Sequence, residues 1–215
     1  MMGFGETKKG LWLYAAIMAT LLTSCTPAHV VLATDAHIPK ITEIQTSVTA
    51  TTRAVLPLTE TPMPFTLTSP KIEEGGVILR DFTCTGANKS PQLDWTETPV
   101  GTQSFAIVFN DPDAGSRGFV HWVVYNIPGD ARSMPAEVPA EPVIHDTAVH
   151  GNNGWGRMDY GGPCPPEGST HNYVFTLHAL DALLELEPGA TKAELEEAAR
   201  VHVLATATLT ASFSR

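Results

Sequence analysis

The chain has 215 residues, with 17 Gly, 17 Pro and a formal net charge of −10 at pH 7. So many turn-formers argue against a helical bundle, and the length holds one or two domains. The acidic balance, with no Lys/Arg cluster beyond Lys8 and Lys9, leaves no basic footprint for nucleic acid.

Lys8 and Lys9 precede an apolar run from Leu11 to Leu22. The run is shorter than the roughly 20 residues a membrane span needs and has the shape of a signal-peptide core. Leu22, Thr23, Ser24 and Cys25 match the bacterial lipobox, in which the Cys receives diacylglycerol and becomes the mature N-terminus. A plain secretory signal with an incidental Cys is the alternative. The sequence thus predicts a lipoprotein signal over 1–24, lipidation at Cys25, and an exported protein anchored to a bacterial cell membrane. Residues 25–64 are rich in Thr, with scattered Pro and no aromatic residue. They read as a flexible tether, with His29 and His37 solvated and "ITEIQTSV" as its one strand-like stretch.

Composition shifts near Phe65, and residues 65–215 read as one domain. "SFAIVFND" reads as a strand ending in a turn, "FVHWVVYNIP" as a strand stopped by Pro128, and "HNYVFTLHAL" as a third strand. "ATKAELEEAAR" is a helix whose Thr191 and Glu194 have capping-box spacing. "LATATLTASF" then returns to period two, as a final strand does. The expected fold is mostly β with one clear C-terminal helix.

Three stretches set polar chemistry beside these strands. "NDPDAG" puts Asp111 and Asp113 at a strand end. "FVHWVVYNIP" carries His121 in an apolar run. "GGPCPPEGSTHNY" leads through rigid prolines to His171, with Tyr173 two residues later. Residues i and i+2 share a strand face, so His171 and Tyr173 point together and His178 points away. Each signal taken alone has a structural reading: a strand His satisfied in the core, an Asp-Pro-Asp turn, a rigid connector.

Together, "DPDAGSRGFVHWVVYNIP", "GNNGWGRMDYGGPCPPEGSTHNYVFTLHALD" and "KAELEEAARVHVLATATLTASF" resemble the phosphatidylethanolamine-binding protein family, most closely its bacterial and archaeal, Raf kinase inhibitor-like branch. The resemblance covers about residues 65 to 215. It implies a β-sandwich-like domain with a small pocket at one end that takes phosphate-like or other small anions, including phospholipid head groups. Carried over by position, the pocket residues are Asp111, His121, Gly162, Pro163, His171 and Tyr173. The histidines and the Tyr hydroxyl would donate to anionic oxygens, and the Gly162 N–H would approach the ligand closely. Pro163 would fix the loop, and Asp111 would orient His121 and hold it cationic. The chain departs from the family at Gly115, where Pro is usual, and at Asp159, where Gly is usual. If position 159 needs a positive φ, Asp tolerates it, though its charge would weaken anion binding if it lay near the pocket.

These residues predict a binding protein for a small anionic or phosphorylated ligand, or an inhibitor of a partner enzyme, with no cofactor and no nucleic acid. The competing reading is a small hydrolase or metal-dependent enzyme using the same Asp, His and Tyr. No G-x-S-x-G or H-E-x-x-H motif supports it. A structural or interaction module with a residual pocket is the third reading. Cys84 and Cys164, the only cysteines besides Cys25, are expected to form a disulfide in an oxidising compartment, against the alternative of two buried thiols.

Overall fold

The computed structural model describes residues 63–215. The signal, Cys25 and the strand-like "ITEIQTSV" lie outside the described residues. The elements in chain order are β1 (Thr66–Thr68), β2 (Gly76–Val77), β3 (Leu93–Thr96), β4 (Ser104–Asp111), β5 (Phe119–Pro128), β6 (Ser133–Met134), β7 (Val143–Ile144), β8 (Ala148–His150), β9 (Thr170–Leu180), α1 (Lys192–Ala199) and β10 (Val203–Ser214). They form a three-stranded sheet, β1-β3-β6, and a seven-stranded sheet, β2-β10-β9-β4-β5-β8-β7. The domain is mostly β with a single helix, as expected.

The central strand β4 is apolar at almost every position because both of its faces are covered. Phe105, Ile107 and Phe109 enter the main core with Leu67, Leu93, Trp95 and Met134 of the small sheet. Ala106 and Val108 enter a second core with Leu195 and Ala199 of α1. These two helix residues lie four apart and so share one face. Thr191 caps α1 in a complete capping box: its side chain accepts the Glu194 N–H, and the Glu194 carboxylate accepts the Thr191 N–H.

Strand β9 alternates as the sequence predicts. Tyr173, Phe175, Leu177 and Ala179 are buried in the main core. His178 projects from the other face and bonds the Thr206 hydroxyl at 3.0 Å.

The β4–β5 ladder breaks this simple parity. Phe109 opposes Trp122, but the next residue, Asn110, opposes Val120, which leaves His121 as an extra residue in a bulge. Without the bulge His121 would share the helix-side face of Val123. With it, the ring turns to the main-core side, where it meets Phe109 and Tyr173 at centroid distances of 5.4 Å each.

Two long-range ties complete the frame. Cys84 and Cys164 are disulfide-bonded with their Cα atoms 5.4 Å apart. Buried His150 donates from Nδ1 to the Glu141 carbonyl at 2.6 Å and accepts the Trp122 indole N–H on Nε2 at 3.0 Å. Both ring nitrogens are committed in the neutral form, and burial holds the pKa of His150 below the ordinary value.

Candidate anion-binding site

The turn after β4 sets the first part of the site. Asp111 Oδ1 accepts the Asp113 N–H at 2.9 Å, closing a local turn around Pro112. Its other oxygen, Oδ2, accepts from His171 Nδ1 at 2.7 Å. Asp113 in turn accepts the Asn172 backbone N–H at 2.8 Å and the Asn172 amide at 3.0 Å. These bonds, the backbone one first, hold the Asp113 carboxyl below the usual carboxylate range. The Asp-Pro-Asp segment is therefore both a turn and a clamp on the start of β9.

His121 is held from the opposite side. Its Nδ1 donates to the Gly161 carbonyl at 2.7 Å, so this carbonyl, and not Asp111, orients the ring. Burial pushes the His121 pKa down, and the Gly161 carbonyl and Asp111 oppose that only in part. The expectation that Asp111 holds His121 cationic is thus corrected: the carboxylate spends its bond on His171.

Asp111, His121 and His171 line one cavity of about 390 Å³. Phe119 and Trp155, edge to face with ring centroids 4.5 Å apart, form an aromatic wall, and Cys164, Pro165 and Pro166 line the cavity as a proline-rich wall. In each histidine Nδ1 is taken, and Nε2 has no hydrogen-bond partner among the described residues. Tyr173 lies behind the cavity, its ring 5.4 Å from His121 and 6.4 Å from His171. Its hydroxyl is fully buried with no hydrogen-bond partner. Burial and the adjacent Asp111 carboxylate push its pKa well above the ordinary value. No three His, Cys, Asp or Glu side chains among the described residues are placed to hold a metal ion.

A family model described as phosphatidylethanolamine-binding protein matches residues 68–214. The chain belongs to the phosphatidylethanolamine-binding protein family. The UPF0098 protein of Methanothermobacter thermautotrophicus is 44% identical over 140 residues, covering 65% of this chain and 92% of that protein. A putative lipoprotein, LppC, of Mycobacterium tuberculosis is 40% identical over 167 residues, covering 77% of this chain and 75% of LppC. Among solved structures, YbcL of Escherichia coli, described as a new member of the mammalian family, has a TM-score of 0.67 at 31% identity, covering 71% of this chain and 99% of that one.

Within the family frame, three positions taken from the motif do not line the cavity. The Gly162 N–H donates to Asn88 Oδ1 at 2.8 Å, and a Cβ at this position would collide with the Phe82 carbonyl. Glycine is required here by chain packing rather than by approach to a ligand. Pro163 presents its carbonyl to the Cys84 N–H at 3.1 Å, which fixes the loop as expected of it. Tyr173 is a floor residue.

The two departures from the family pattern have physical accounts. Gly115 has φ +69°, a value proline cannot reach, so the turn over Gly115–Arg117 differs from one built on Pro. Asp159 has no positive φ; it accepts the Asn153 amide at 2.7 Å, pairs with Arg157 at 3.4 Å, and does not line the cavity.

Sequence reasoning missed Phe119, Trp155 and the Gly161 carbonyl. The available signal was "GNNGWGR", a tryptophan among glycines. Trp155 remains 46% exposed at the cavity mouth, and a Cβ on Gly161 would strike its ring.

Proposed function

We propose that this cavity holds a small anionic or phosphorylated group, and that the protein is an exported, lipid-anchored binding protein. The observation that carries the reading is the pair of histidines whose Nδ1 atoms are fixed by Gly161 and Asp111, leaving both Nε2 atoms to one cavity. An imidazole so fixed offers a donor when protonated. Anchoring through Cys25 is supported by the sequence match and by the name of LppC, a putative lipoprotein. The disulfide fits an oxidising compartment. Inhibition of a partner enzyme is the wider form of the same reading, with the cavity mouth as the contact.

Titration calorimetry with phosphorylethanolamine tests it. A hydrogen bond to a charged group contributes about 1.5–3 kcal/mol, so His121→Ala and His171→Ala should each weaken binding about ten- to a hundred-fold. His178→Ala, on the far face, should change affinity less than about two-fold. Affinity should rise as pH falls below about 6.5, since burial depresses the His121 pKa and protonation there turns Nε2 from acceptor to donor. Equal affinity in wild type and both pocket variants would overturn the assignment.

One observation favours a second reading. The Asp111–His171 bond with Nε2 free is the arrangement of a general base and its orienting carboxylate. A panel of esters and phosphoesters tests it: turnover abolished by His171→Ala supports acid–base catalysis, and no turnover across the panel refutes it.

A further inference from the structure

We propose that the Cys84–Cys164 disulfide is a thiol-exchange site in which Cys84 is the sulfur attacked and Cys164 the sulfur released, and that opening it loosens the proline wall of the cavity. Both cysteines are exposed residues, which puts the bond at the surface of the domain. The two sulfurs differ in their surroundings. Arg215 Nη1 lies 3.5 Å from Cys164 Sγ. The Arg215 backbone is held in place, its N–H donating to the Ser169 carbonyl at 3.2 Å and its carbonyl accepting the Gly168 N–H at 2.6 Å. Glu167 shares the guanidinium at 3.9 Å and tempers its charge without displacing it from the sulfur. No cation approaches Cys84 Sγ in this way among the described residues. A guanidinium beside a sulfur stabilises its thiolate, and the thiol of lower pKa leaves faster in exchange.

The reductant is a dithiol. One of its thiolates attacks Cys84 Sγ, the S–S bond breaks, and its electron pair leaves on Cys164, which takes up a proton. The second dithiol sulfur then attacks the dithiol sulfur of the mixed disulfide and releases Cys84, which is protonated in turn. The protein gains two electrons and two protons, and the dithiol becomes a disulfide.

The consequence lies in the wall. Upstream, the Cys84 N–H holds the Pro163 carbonyl; downstream, the Ser169 N–H holds the Pro166 carbonyl at 3.0 Å. Between them Pro165 and Pro166 have no N–H to donate, and the disulfide is the covalent hold on Cys164. That the loosened wall weakens anion binding rests on the function proposed above; the exchange does not.

The experiment uses the full chain with glutathione as a monothiol trap, followed by peptide mapping by mass spectrometry. Glutathione is expected on Cys84 with Cys164 free, in protein whose circular dichroism is unchanged. Arg215→Ala should slow the exchange about three- to ten-fold, and Arg215→Lys should restore most of the rate. Glutathione on Cys164, equal labelling of both, or an unchanged rate in Arg215→Ala would overturn the exchange. Calorimetry with inorganic phosphate, before and after reduction by dithiothreitol, reads the wall. At least about a three-fold loss of affinity is expected, and equal affinity overturns the coupling. If the oxidised protein binds no phosphate at all, the anion reading falls and the coupling with it, while the peptide map still decides the exchange.

Discussion

Tyr173→Phe should make the ligand-free protein more stable. The ring is 0% exposed and its hydroxyl has no hydrogen-bond partner, although Asp111 and the Cys164 backbone lie beside it. A buried hydroxyl left unsatisfied costs about 1–3 kcal/mol. Phenylalanine keeps the packing against Phe109, at a centroid distance of 5.9 Å, and removes that cost. For a domain of this size the gain corresponds to a rise in melting temperature of about 2–12 °C. Scanning calorimetry in a buffer free of phosphate and carboxylate is the assay. Loss of stability in ligand-free Tyr173→Phe would refute the reasoning, because it would mean the hydroxyl already has a partner in the resting protein.

Removing both cysteines as the Cys84→Ser/Cys164→Ser pair should cost about 4–5 kcal/mol in urea unfolding, the chain-entropy value for a loop of the 80-residue separation these cysteines close. Stability should fall as pH drops below about 6.5. The folded pKa of His150 is depressed, so the unfolded chain takes up its proton first and folding loses free energy until the folded pKa is reached. Urea melts between pH 7 and 5 check this, and His150→Phe should flatten the slope without abolishing it, since His121 and His178 are depressed by burial as well. Gly115→Pro should destabilise the turn by about 1–3 kcal/mol, because φ +69° is closed to proline; an unchanged melting curve would mean the turn readily adopts another form.

The long strands and the helix were legible because each carries its own signal over many residues. β9 and β10 alternate, β4 is a bounded apolar run, and α1 announces itself with Thr191 and Glu194. The strands of two or three residues, such as β2, β6 and β7, have no period to read. Their partners, not their sequences, make them strands. At the site, the two-residue spacing of His171 and Tyr173 and the opposite face of His178 followed from strand geometry alone. The partner of Asp111 did not follow, since which of two histidines a carboxylate reaches depends on the turn that aims it. Nor did the role of Gly162, whose N–H is taken by Asn88, 74 residues away in sequence.

The bulge at His121 separates the fate of the fold from the fate of the site. Because it is one residue of slack in β5, distinct from a second register shift between Phe105 and Ile107, the strand has two arrangements that keep its downstream pairing, with Trp122 against Phe109 in both. Deleting Val120 would take up the slack and leave the sheet continuous, but His121 would then occupy the vacated position and face α1. A single codon lost there would yield a well-folded relative emptied of its first imidazole, and a codon gained in an ordinary strand at this place would install one. Sheets with such slack can trade binding chemistry by insertion and deletion, a step that substitution of one side chain for another on a fixed register does not reach.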